Sequence, residues 1–207
     1  MRYLIGLAIL AMVAAPASAN LLSATDGGFE DPWTDGAPDW FSQKQNGLIE
    51  RDSGIHGPGP APQGSHYGSL QTGGNVGHAA WITIPASGPL SLDMWVAGGT
   101  TGATATLFVE LRDGNENGAV LDAWSANLPN PYGFGWTKLS SASLNNEPLT
   151  GVATSGQVTV KVGYSNLVGW SNGTAIHIDD VVLTPEPASL ALFSLLGLPL
   201  LRRRRRA

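Results

Sequence analysis

The chain of 207 residues carries 16 acidic and 11 basic side chains, a formal charge of -5, 27 glycines, 14 prolines and no cysteine. The missing cysteine excludes a disulfide framework, a thiolate nucleophile and cysteine-ligated zinc or iron–sulfur centres, and the glycine and proline content describes a turn-rich, all-β chain rather than a helical bundle. Between residues 20 and 184 only Lys44, Arg51, Arg112, Lys138 and Lys161 stand against 15 acids, so this span repels phosphate backbones and nucleic acid is not an expected partner.

The first segment is an address. Met1-Arg2-Tyr3 leads into LIGLAILAMVAAPASA, an apolar stretch that ends on Ala17-Ser18-Ala19, small residues where a signal peptidase needs them. Residues 1–19 are predicted to be a secretory signal helix removed after Ala19; a retained anchor helix is the alternative. Residues 20–184 are long enough to bury one core and are predicted to form one domain.

That body reads as strands. Period-two alternation is clearest in Leu90, Leu92, Met94 and Val96, in Ala105, Leu107, Val109 and Leu111, and in Val158, Val160, Val162 and Tyr164. Further strands are expected at 48–51, 67–71, 79–84, 120–124, 136–140 and 176–183, separated by joints such as GPGPAPQGS and NLPNPYG. Short strands with turn signals between them predict an all-β fold, a jelly-roll-like antiparallel sandwich of two sheets, with 53–65 as a long surface loop. No internal repeat supports a propeller or solenoid.

Seven tryptophans, Trp33, Trp40, Trp81, Trp95, Trp124, Trp136 and Trp170, are many for this length. Sugar rings stack on flat aromatic faces while carboxylates and amides take their hydroxyls, so glycan binding needs an exposed aromatic beside a polar group. By alternation Trp95 and Phe108 fall opposite their strands' aliphatics, alongside Asp93 and Glu110. These four are the candidate ligand platform; most other tryptophans are expected in the core.

The order of Asn20-Leu21-Leu22, Asp26-Gly27-Gly28-Phe29-Glu30, a tryptophan soon after, QGSHYGSLQ and the closing Ile176-His177-Ile178-Asp179-Asp180-Val181-Val182-Leu183 resembles a jelly-roll carbohydrate-binding module of the galactose-binding-like type. The resemblance implies that first and last strands lie near one another, and that Glu30 with Asp179 or Asp180 joins backbone carbonyls around a structural calcium. Calcium takes six to eight hard oxygens, and an acidic exported chain suits it. Two adjacent acids at a strand end are otherwise simply solvated. The resemblance transfers no sugar-binding residue.

The last segment is Pro185-Glu186-Pro187, an apolar run from Ala188 to Leu201, then Arg202, Arg203, Arg204, Arg205 and Arg206. The run, ~21 Å as a helix, is short for a hydrocarbon core of ~30 Å, but arginine stems extend it, and cations beside a span stay cytoplasmic. The tail resembles the PEP-CTERM sorting signal of bacterial surface proteins. That resemblance implies a transmembrane helix anchoring residues 185–207 until an exosortase-type enzyme recognises Pro185, Glu186 and Pro187, which two prolines would keep extended and accessible. A plain C-terminal membrane anchor is the alternative.

His56, His66, His78 and His177 lack metal-motif spacing, and no nucleophile elbow, P-loop or dinucleotide fingerprint occurs. Glu50, Asp52, Glu110 and Glu147 are the acids a glycosidase would have to pair in space. The expectation is therefore a non-catalytic protein of the cell surface or extracellular matrix, passed through signal peptidase and a sorting enzyme. Polysaccharide binding leads; a structural or adhesive matrix role without a small ligand comes second, and a hydrolase third.

Overall fold

The computed structural model describes residues 19–22, 28–30, 40–42, 49–52, 59–72, 78–99, 104–128, 134–142, 144, 146–168 and 174–186. Residues 1–18 of the predicted signal segment, Pro187, the predicted transmembrane helix and Arg202 to Arg206 lie outside these residues. Among the described residues no helix is long and apolar enough to cross a membrane; all the regular elements are strands.

There are β1 (Phe41–Ser42), β2 (Ile49–Asp52), β3 (Tyr67–Thr72), β4 (His78–Pro85), β5 (Gly88–Gly99), β6 (Thr104–Asp113), β7 (Ala119–Leu128), β8 (Phe134–Lys138), β9 (Leu149–Ala153), β10 (Gln157–Val168) and β11 (Thr174–Pro185). They form two antiparallel sheets packed face to face. Sheet 1 has the order β1-β4-β10-β6-β7; sheet 2 has β2-β3-β11-β5-β8, with β9 on the same edge of β5 as β8. This is the predicted two-sheet sandwich.

The core lies between the sheets and is filled by the alternating sets that the sequence marks. Leu90, Leu92, Met94 and Val96 face inward from sheet 2, and Leu107, Val109, Leu111, Val158, Val160 and Val162 from sheet 1. Each is a branched or long aliphatic side chain on a pleated surface, where burial contributes about 1.5–3 kcal/mol apiece. The intervening residues of β6 alternate half-buried with buried.

Two short strands, β1 and β9, are absent from the expectation. β1 has only two residues, and in Leu149-Thr150-Gly151-Val152-Ala153 a glycine and an exposed valine break the apolar alternation. β8 begins two residues before the expected 136–140 and ends at Lys138.

First and last segments meet in sheet 2. β3 pairs with β11 only along 174–178. Beyond that, residues 20 and 21 take its place: Leu21 N–H donates to Leu183 O at 2.7 Å, Asn20 Nδ2 to Val181 O at 3.2 Å, and Leu183 N–H to Asn20 Oδ1 at 3.0 Å. The tripeptide of the tail also starts inside the sandwich. Pro185 pairs with Leu90 and Glu186 N–H donates to Pro89 O at 2.9 Å. β11 thus runs one residue past Thr184, and Pro185-Glu186 is held on a neighbouring strand.

Candidate functional site

The outer face of sheet 1 is a partly aromatic surface on which Ala79, Thr159 and Gly163 are buried. Strand register puts Trp81, Lys161, Glu110 and Ala123 in one row across β4, β10, β6 and β7, and Ala79, Gly163, Phe108 and Ser125 in the next. Phe108 thus stands beside small residues on both flanking strands, half-buried, with nothing tall next to it in its row. Trp81, Lys161, Glu110 and Arg112 are likewise half-buried.

The hairpin 114–118 walls off one end of this face. Its carbonyls accept from Thr159 Oγ1 at Gly114 (2.6 Å), from Lys161 Nζ at Glu116 (3.1 Å) and from Arg112 Nη1 at Gly118 (2.7 Å). Arg112 Nε also donates to Glu110 Oε2 at 2.7 Å. Burial first, and then the charge of Arg112, holds Lys161 below the usual lysine value, against the opposing pull of Glu110 and Glu116. The arrangement offers one apolar ring and fixed donors and acceptors on a rigid sheet, which is what stacking and hydroxyl recognition require.

The outer face of sheet 2 is covered instead. Tyr67, Ser69, His177 and Asp179 on β3 and β11 are all buried there. Tyr67 packs edge-on against Trp136 and His177 at centroid distances of 5.1 and 5.3 Å. Trp95 is half-buried, with Lys138 Nζ 6.0 Å from its ring centroid. Asp93 accepts from Ser140 N–H and Oγ–H at 3.1 and 2.8 Å and lies 3.5 Å from Lys138 Nζ, which fixes the segment after β8.

The four candidate platform residues are therefore not brought together. Phe108 and Glu110 lie on the outside of sheet 1, Asp93 and Trp95 on the outside of sheet 2. Period two assigns a residue to a face of its own strand and is silent about which sheet the strand joins. The rule that marks Phe108 also places Trp81 on this face: Ala80, Ile82 and Ile84 point inward on either side of it. Trp40 and Trp124 are core residues, and Trp33 and Trp170 lie outside the described residues.

Glu30 and Asp179, by contrast, do converge, on the loop 63–66. Gln63 N–H donates to Asp179 Oδ2 at 2.8 Å, while Ser65 and His66 N–H both donate to Glu30 Oε1 at 2.8 Å, with His66 Nδ1 3.4 Å from Oε2. A Cβ on Gly64, which has φ +66°, would collide with the Glu30 carboxylate, so this turn requires glycine.

A β-bulge places the acids. Asp179 opposes Trp95 and Val182 opposes Asp93, so β11 carries one extra residue there, and Asp180 has a positive φ of 46°. The inward set runs Ile176, Ile178, Val181, Leu183, and Asp180 N–H donates to Asp179 Oδ1 at 2.8 Å. Asp179 is fully buried, and burial first, then the negative charges of Asp180 and Glu30, push its carboxyl up to about 6 against the two N–H donors. Among the described residues no group of three or more His, Cys, Asp or Glu gathers as a metal site. A cation here would take Glu30 and Asp179 plus backbone carbonyls, a donor set suited to a hard ion.

No family model matches the chain, and no curated protein matches it. Solved structures do. A CBM61 carbohydrate-binding module in complex with beta-1,4-galactotriose aligns at a TM-score of 0.51 and 17% identity, over 82% of this chain and 100% of that one. A cyclase from Fischerella sp. TAU aligns at 0.55 and 17% identity, over 78% of this chain and 94% of that one. At these identities the likeness establishes the jelly-roll sandwich fold.

Proposed function

We propose that this chain is an exported bacterial surface or matrix protein whose sandwich binds carbohydrate, without catalysis, on the outer face of sheet 1. The observation that carries the reading is the contrast between the two outer faces. One presents a half-buried Phe108 among small neighbours with Trp81, Lys161 and Glu110 in the adjoining row; the other has Trp95 equally half-buried but apart from any such row, and is buried across β3 and β11. The fold shared with a module that holds a galactotriose supports it. Glu110, one of the acids a hydrolase would have to pair, is tied to Arg112.

In this reading the signal segment exports the protein, signal peptidase frees Asn20, and the tail holds the body outside the cytoplasm until an exosortase-type enzyme acts at Pro185-Glu186-Pro187. Glu30 and Asp179, with Asp180 beside them, hold a calcium whose charge balances the buried carboxylate and ties the loop 63–66 to β11.

Binding of the purified body to a panel of neutral and acidic polysaccharides, by calorimetry, tests the function. Phe108→Ala is expected to weaken binding about tenfold, ~1.4 kcal/mol, as loss of a central aromatic contact does. Trp81→Ala is expected to weaken it less, and Trp95→Ala to leave it unchanged. Binding indifferent to both sheet 1 aromatics would refute the platform; no binding to any glycan would favour a structural matrix role.

A further inference from the structure

The tail leaves the sandwich through a short rung with unusual energetics. Pro185 is half-buried opposite Leu90, Glu186 N–H donates to Pro89 O at 2.9 Å, and Thr184 Oγ1 sits 3.5 Å from Ser91 O. Pro185 has no N–H to give, so beyond the backbone pair of Thr184 with Ser91 the Pro185-Glu186 end hangs on one good hydrogen bond and partial burial. One residue further in, the attachment is much stronger. Leu183 is fully buried, and its N–H and C=O are both taken by Asn20 and Leu21.

An enzyme that binds a peptide in an extended cleft supplies main-chain partners to it, as a sheet edge does. Such a cleft and β5 would compete for the same Glu186 N–H. Local opening of a frayed strand end is easy where few contacts hold it, and stops where a core side chain must be exposed.

We propose that the sandwich gates access to its own tail: residues 184–186 are a detachable rung on β5 that a processing peptidase must strip before it takes Pro185-Glu186-Pro187, with Leu183 and its Asn20–Leu21 clamp as the stop. The processing role rests on the reading of the tripeptide as a recognition site; the rung itself does not.

The test uses the full chain in detergent micelles and a post-proline endoprotease, with mass spectrometry following hydrolysis of the Pro185–Glu186 bond. In that step water adds across the bond, leaving a carboxylate on Pro185 and an amine on Glu186. One variant carries about eight Gly and Ser residues between Thr184 and Pro185, and a second carries the same linker after Pro187. The first is expected to be cut about tenfold faster than the parent, the factor that one net hydrogen bond imposes on the open population. The second, whose Pro185 and Glu186 stay on the rung, should match the parent. Both should keep the parent's melting temperature.

Asn20→Ala, which removes the clamp, should speed both this cut and exchange of the Glu186 amide. Equal rates in the two linker variants, or a parent Glu186 amide exchanging as in an unstructured peptide, would overturn the gate. If the linker ranking holds but a co-expressed sorting enzyme processes none of the chains, the rung stands and the recognition reading fails.

Discussion

Asp113 and Asp179 are the same side chain moved in opposite directions. Asp113 accepts from Thr154 Oγ1–H and N–H and from Ser155 N–H, and the Thr154 hydroxyl above all holds its carboxyl well below the ordinary 3.8. Its contribution to stability is therefore present above the unfolded value and lost as pH falls below it. Asp179 is raised from 3.8 to about 6. The folded state then holds its proton more tightly than the unfolded chain, so stability falls as pH rises from about 4 through about 6, by on the order of 1–3 kcal/mol. In chelator, the melting temperature should drop between pH 5 and pH 7. With millimolar calcium that drop should vanish, because a cation favours the ionised carboxylate and binds only the native state. A chelated protein whose melting temperature is flat across this window would remove Asp179 as its source, and indifference to calcium throughout would remove the metal. Below pH 4, an Asp113→Ala variant should lose less stability on further acidification than its parent, as pH-dependent denaturation curves would read.

At the scale of elements, β3 shows how one missing side chain sets a packing distance. A Cβ on Gly68 would stand 2.6 Å from the ring of Phe29, which is itself buried, at φ 57°, and 5.7 Å centroid to centroid from Trp40. Gly68→Ala is expected to destabilise by about 1–3 kcal/mol, the range for overpacking a core. Adding Phe29→Leu should recover part of that loss, a coupling that urea titrations of the two single variants and the double variant would measure. No alternation announces such a glycine, whereas the strands around it were legible. β5, β6 and β10 are long enough for period two to dominate, and their inward sets match the expected ones residue for residue. β9 was hidden by Gly151, which lies close against Leu121, and by Val152 facing solvent. The acid cluster was legible through the order of Phe29-Glu30 and the closing strand. Its placing was not, because the bulge at Asp179 and Asp180 shifts the phase of β11 midway. The platform was half legible: the pattern found Phe108 and Glu110, but joined them to Trp95 and Asp93 across the thickness of the sandwich.

For the molecule as a whole, the separation of sites follows from which sheet holds which strand. The acid cluster, the Asn20 clamp and the exit of the tail all sit on β11 or its neighbours in sheet 2. Phe108, Trp81 and Lys161 belong to sheet 1, on its far side. Glu186, the last described residue, therefore leaves the sandwich from sheet 2, away from the face proposed to bind glycan. A calcium held as proposed at the acid cluster would therefore act on the fold and not on the ligand. At a temperature well below unfolding, where the chelated protein is still native, polysaccharide affinity with and without calcium should agree to within about twofold, since distant sites with no shared partners couple by only ~0.5 kcal/mol or less. At a temperature between the melting points of the chelated and calcium-loaded forms, binding should instead disappear on chelation together with the native state. Calorimetric titrations at the two temperatures separate these cases. A large affinity loss in chelator at the lower temperature would mean that the cation bridges protein and sugar, and would move the binding site from sheet 1 to the acid cluster.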